Sequence, residues 1–108
     1  MGLVQSNSSD EDILKALQTP NVLVADVRST GEFSSGDGYP GAVNVPVDTV
    51  GDRIKEFGND KDRNIITYCA AGVRAASAAE TLKSSGFRNV FSTTNAGHLR
   101  EIARRIPK

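Results

Sequence analysis

Apolar runs alternate with helically spaced apolar positions along the chain. Ser8-Ser9-Asp10-Glu11 has the spacing of a capping box, and Ile13, Leu14 and Leu17 then share one helical face. Val22 to Val27 is a nearly continuous apolar run, as expected of a strand covered on both faces. Ser34-Ser35-Gly36-Asp37-Gly38 is a loop by composition. Ala42 to Pro46 reads as a short strand, and Asp48 is placed to cap a helix running to about Phe57. Asn64 to Tyr68 is a second buried strand. Arg74 to Ser85 is an Ala-rich helix stopped by Gly86, and Asn89-Val90-Phe91 is a short strand. Asn95 is placed to cap a last helix carrying Leu99, Ile102, Ala103 and Ile106. This alternation predicts an α/β domain: a central, mainly parallel sheet with helices on both faces, joined by right-handed crossovers.

Length and charge narrow the classes. With 108 residues the chain is one domain, read as residues 10–108 after a flexible segment 1–9. Thirteen Lys and Arg balance thirteen Asp and Glu, so no nucleic-acid partner is expected. No apolar run reaches the length of a membrane span. The start lacks the basic and apolar regions of a secretory signal, which gives a cytoplasmic expectation. Met1-Gly2-Leu3-Val4-Gln5-Ser6 fits the short N-myristoylation pattern. Arg100, Arg104, Arg105 and Lys108 against Glu101 make the last nine residues basic, as expected of a solvated helix end.

Ligands on parallel sheets sit at the C-terminal ends of strands. Two such ends carry chemistry: one holds Asp26 and Arg28, the other Cys69. Cys69 is the single cysteine, which excludes an internal disulfide or a multi-cysteine zinc site. It stands where a strand gives way to a small-residue loop and then a helix, with Ala70, Ala71, Gly72 and Val73 between it and Arg74. Such a loop can turn main-chain N–H groups toward the sulfur, and the free N–H groups of the next helix point the same way. That field, with a guanidinium nearby, favours thiolate over thiol. The bland alternative is a buried structural cysteine.

The segment Cys69-Ala-Ala-Gly-Val-Arg74-Ala-Ala-Ser77, after Ile-Ile-Thr-Tyr, resembles the active loop of the rhodanese sulfurtransferases. Val24-Ala25-Asp26-Val27-Arg28 with Glu32-Phe33 resembles the family's first core strand and its acidic follow-up. Gly38 to Pro46 resembles the segment leading to its second strand. Gly86 to Val90 and Asn95-Ala96-Gly97 resemble the end of the domain, in the manner of small single-domain members. The chain departs from the family at Tyr39, where His is frequent, and at His98, where a second Gly is frequent. Arg74 is the only charge in its loop.

The resemblance implies a rhodanese-like fold and a double-displacement reaction without cofactor or metal. Cys69 would take the outer sulfur of thiosulfate or a similar small donor. The resulting persulfide would be cradled by loop N–H groups from Ala70 to Arg74. A thiol acceptor, a protein acceptor, or cyanide in assays would then take the sulfur. It also implies that Asp26 helps hold the active loop. Arg28 and Glu32 are expected to pair at the same rim, with Tyr39 and His98 at the rim or surface and Ser77 packing in the helix. Two alternatives stand beside this reading. Cysteine phosphatases and some arsenate reductases share the general fold, but their loop places five residues between Cys and Arg, against four here. A persulfide carrier or docking module would share the loop chemistry with poor turnover of small donors.

Overall fold

The computed structural model describes residues 7–107; the Gly2 pattern lies outside them. The chain runs α1 (Asp10–Leu17), β1 (Leu23–Asp26), α2 (Thr30–Ser34), β2 (Val43–Asn44), two 3-10 helices (Val47–Thr49 and Gly51–Phe57), β3 (Asn64–Cys69), α3 (Val73–Ser84), β4 (Asn89–Asn95) and α4 (Ala96–Ala103). The four strands form one sheet in the order β2-β1-β3-β4, and every pairing is parallel.

Alternating side chains build two cores, one on each face. Ala25, Val27, Ile65 and Val90 face α3 and the 3-10 segment, where Phe57 and Phe87 meet edge to face. Val24, Ile66 and Tyr68 face α1 and α4, which supply Ile13, Ala16, Ala96, Leu99 and Ile102. Small residues line the sheet-facing side of α3 at Ala75, Ala78 and Ala79, so its backbone lies close to the strands. Among the described residues no helix is long and apolar enough to cross a membrane.

Three local expectations shift. The cap of α1 is Ser9, whose hydroxyl accepts the Asp12 N–H, rather than Ser8. Ser8 is used elsewhere: its N–H donates to the Ser92 carbonyl at 2.8 Å and its hydroxyl accepts the Ser92 N–H at 3.0 Å. Thus, within the segment 1–9 expected to be flexible, Ser8 hydrogen-bonds to β4 and Ser9 caps α1. The helix expected from Asp48 to Phe57 is two 3-10 pieces, the second broken at Arg53, and no side chain caps either. Finally, β4 runs four residues past the expected Phe91 and carries a register shift opposite Thr67 and Cys69. That irregularity sets Asn95 beside Cys69.

Candidate active site

The chain leaves β1 for β2 on one side and returns to β3 on the other. The C-terminal ends of β1, β3 and β4 therefore converge around this switch point. Cys69 ends β3 and is 2% exposed. The chain turns through Ala70 and Ala71 to Gly72, which precedes α3 at φ 101°. Lacking a side chain, Gly72 cannot accept from the free N–H groups of the first helical turn. The Cys69 Sγ does so instead. It accepts the Gly72 N–H at 3.0 Å and the Ala75 N–H at 3.3 Å. Of the cradle expected over Ala70 to Arg74, Gly72 supplies one donor; the second comes from Ala75, just beyond it. Two main-chain dipoles aimed at one sulfur stabilise negative charge there.

Gly72 is required for two reasons. Its positive φ disfavours other residues, and a Cβ would collide with the Asn7 side chain. The Asn7 amide donates to the Gly72 carbonyl at 3.1 Å and to the Ser92 hydroxyl at 3.0 Å. The start of the described chain thereby braces the loop against β4.

The rim pairs differ from expectation. Glu32 binds Arg74 through two contacts, at 2.7 and 3.1 Å, and also closes a capping box with Ser29 at the start of α2. Arg28 binds Asp26 through Nε and Nη2, the shortest contact 2.7 Å, and Asp37 through Nη1 at 2.9 Å. So Arg28 and Glu32 do not pair: each has a partner on its own side of the β1 end. The Asp26 carboxylate, fully buried, accepts both the Arg28 side chain and the Arg28 main-chain N–H. It holds Arg28, and the expected support of the active loop is not among its bonds. Asn44 ties the ends of β1 and β2 by donating to the Asp26 and Arg28 carbonyls, both at 3.0 Å.

Arg74 is kept protonated first by Glu32, with a smaller contribution from the neighbouring Cys69 sulfur. The Arg74 hydrogen bond, followed by that of the Ser29 N–H, holds the Glu32 carboxyl at about 2. A carboxyl depressed on folding contributes stability above its ordinary range and loses it as pH falls toward the depressed value. The stabilising effect of Glu32 over a Glu32→Gln variant is therefore present near neutral pH. It fades between about pH 4.5 and about pH 2, as paired melting curves would show. A constant difference across that window would contradict the assignment.

A pocket of about 240 Å³ opens beside Cys69, lined by Arg28, Asp37, Ala70, Asn95, Ala96, Gly97 and Arg100. Arg74 instead lines a separate cleft of about 340 Å³ with Ser29, Thr30 and the first 3-10 turn. Sequence reasoning missed Asp37, Asn95 and Arg100 as neighbours of Cys69. Asp37 lies in a loop, Asn95 was read as a helix cap, and Arg100 was read as part of a solvated basic face.

Tyr68, whose ring lies 5.9 Å from the Arg28 guanidinium, accepts the Tyr39 N–H at 2.8 Å. Its phenol is pushed up to about 12, chiefly by burial. Tyr39 is half-buried against the α1–α4 core, and it touches this network through its main chain. Tyr39→Phe keeps that N–H and the ring, so turnover should stay within about threefold of the native chain. A collapse of turnover in a folded variant would reverse this. His98 bonds Asp10 at 2.8 Å and links α4 to α1; it does not line the Cys69 pocket. Among the described residues no group of three or more His, Cys, Asp or Glu side chains could hold a metal ion.

A tRNA uridine(34) hydroxylase from Photorhabdus laumondii subsp. laumondii is 30% identical over 99 residues, covering 88% of this chain and 27% of that protein. The chain spans about a quarter of the length of the curated relatives it matches. A rhodanese from E. coli, solved with anions, superposes with a TM-score of 0.59 at 30% identity, covering 80% of this chain and 94% of the other. A rhodanese-like domain from Anabaena superposes at 0.65 with 26% identity, covering 75% and 92%. The rhodanese-like domain matches residues 9–96, from the cap of α1 to the start of α4. On that match the chain belongs to the rhodanese-like domain family.

Proposed function

We propose that this chain is a sulfurtransferase that carries a sulfane sulfur as a Cys69 persulfide. The observation that carries the reading is the pair of N–H groups, from Gly72 and Ala75, donated to the Cys69 sulfur at the wall of an open pocket. The Cys69 thiolate attacks the outer sulfur of thiosulfate. The Cys69 S–S bond forms, the donor S–S bond breaks, and sulfite leaves with its electron pair. A thiolate or cyanide then attacks the outer persulfide sulfur, forms a persulfide or thiocyanate, and returns the Cys69 thiolate. The two N–H donors favour sulfur anions at both stages.

The acceptor class is a thiol, free or on a protein. Val73, the first residue of α3 and 76% exposed, offers a protein acceptor an apolar contact. The curated relatives named tRNA uridine(34) hydroxylase are far longer, and the zero net charge of this chain does not favour a polynucleotide. A small donor is therefore the better-supported substrate.

The test is intact mass after incubation with thiosulfate. One added sulfur, removed by cyanide with release of thiocyanate, is the expected result. No added sulfur, or hydrolysis of an aryl phosphate instead, would overturn the reading. Sulfur addition without catalytic turnover would select the carrier alternative.

A further inference from the structure

The pocket beside Cys69 is walled by two arginines in different electrical states. Arg28 faces two carboxylates, Asp26 and Asp37. Arg100, half-buried on α4, donates to the main-chain carbonyls of Asp37 and Gly38 at 3.3 and 3.4 Å. These acceptors are neutral, and the bonds are long. They orient the guanidinium without cancelling its charge, which leaves donors for two oxygens of an oxyanion.

Asp37 connects the two walls. Its carboxylate occupies Arg28 Nη1, and its carbonyl takes Arg100. The side chain is 67% exposed, at the end of the Ser35-Gly36 loop. Arg28, helped by the Ser35 hydroxyl, lowers the Asp37 carboxyl, so it is ionised at neutral pH. An anion entering the pocket meets one arginine already paired with an exposed carboxylate and another that, among the described residues, bonds carbonyls alone.

We propose that Arg100 determines donor specificity by holding the anionic end of the sulfur donor, and that the Asp37 carboxylate competes internally for the Arg28 side of the same subsite. As a statement about the donor, this rests on the sulfurtransferase reading; as a statement about anions, it does not. The donor class is a small molecule with a sulfane sulfur at one end and an oxyanion group, such as a sulfonate, at the other. The oxyanion lies between Arg100 and Arg28 while the sulfane sulfur points to Cys69.

The test compares two alkylating reagents that differ only in charge. Iodoacetate and iodoacetamide both form a carbon–sulfur bond at Cys69, the only cysteine, and release iodide. Their rate ratio, normalised to free cysteine, reads the pull of the pocket on an anion. Arg100→Ala should lower the ratio about five- to tenfold, and Arg100→Lys should restore part of it. Asp37→Asn should raise it about threefold. Arg104→Ala, an exposed residue paired with Glu101, removes the same net charge and should leave the ratio unchanged. In parallel, Arg100→Ala should raise KM for thiosulfate about tenfold, and Asp37→Asn should lower it. An unchanged ratio in Arg100→Ala overturns the proposal. So does an equal fall in Arg104→Ala, which would show only a long-range charge effect. Failure of both reagents to label Cys69 also overturns it, because the pocket must then not lead to the sulfur. If the ratios shift as stated while no variant turns over thiosulfate, the anion subsite stands and the sulfurtransferase reading falls.

Discussion

Cys69→Ser should abolish sulfur loading, with thiosulfate turnover falling by at least about a thousandfold. The cradle survives the change, because its donors are the main-chain N–H groups of Gly72 and Ala75, and a serine oxygen can accept both. The variant should therefore fold, with stability within about 2 kcal/mol of the native chain. What it loses is the nucleophile: an alcohol at neutral pH neither attacks a sulfane sulfur nor stores it as a persulfide. The separation of the two effects makes the experiment sharp. Mass spectrometry after thiosulfate should show no added sulfur on a protein with a normal melting curve. Loading at the native rate would mean that Cys69 is only a cap acceptor for α3.

Asp26→Ala should be the most destabilising single change at the site, by about 3 kcal/mol. Asp26 is fully buried and Arg28 is 7% exposed. Removing the carboxylate strands a guanidinium that, among the described residues, has only the exposed Asp37 left as a charged partner. The loss corresponds to a fall in melting temperature of roughly 10–20 °C for a domain this size. Replacing both partners by apolar residues, as in Asp26→Leu with Arg28→Met, should recover much of that loss, since no buried charge is left unpaired. It should not recover thiosulfate turnover, because the pocket then has Arg100 alone. An Asp26→Ala melting point within two degrees of the native one would show that the pair is not buried in solution as it is in the structure.

Much of this organisation was legible in the chain. The apolar runs at Val22–Val27 and Asn64–Tyr68 announce strands covered on both sides, and Val24 and Ala25, like Ile65 and Ile66, point to opposite cores. The small residues between Cys69 and Arg74 announce a loop through which a backbone can approach a sulfur. The misreadings have a common cause. Ser92, Thr93, Thr94 and Asn95 are polar and lie beyond the expected strand end at Phe91, with Asn95 read as a helix cap, yet they extend β4. The extension pairs with β3 as far as Cys69, and Asn7 and Ser8, more than eighty residues away, satisfy Ser92 through its N–H, carbonyl and hydroxyl. Similarly, Arg28 and Glu32 are close in sequence and opposite in charge, so local spacing favours a pair. Each finds a better partner through the fold: Arg28 turns back to Asp26, and Glu32 reaches Arg74 across forty-two residues.

The sequence by itself determined the fold class, the strand–loop–helix junction and the single cysteine that stands at it. These depend on residue type and near-neighbour spacing, which the chain displays directly. Only the tertiary structure decided which N–H groups meet the sulfur, which carboxylate each arginine takes, and that Arg100 stands in the wall of the Cys69 pocket. Those outcomes are set where three strand ends and the first turn of α4 converge. Convergence of that kind depends on sheet order, on the irregularity of β4 and on side chains far apart in sequence, so no local pattern encodes it.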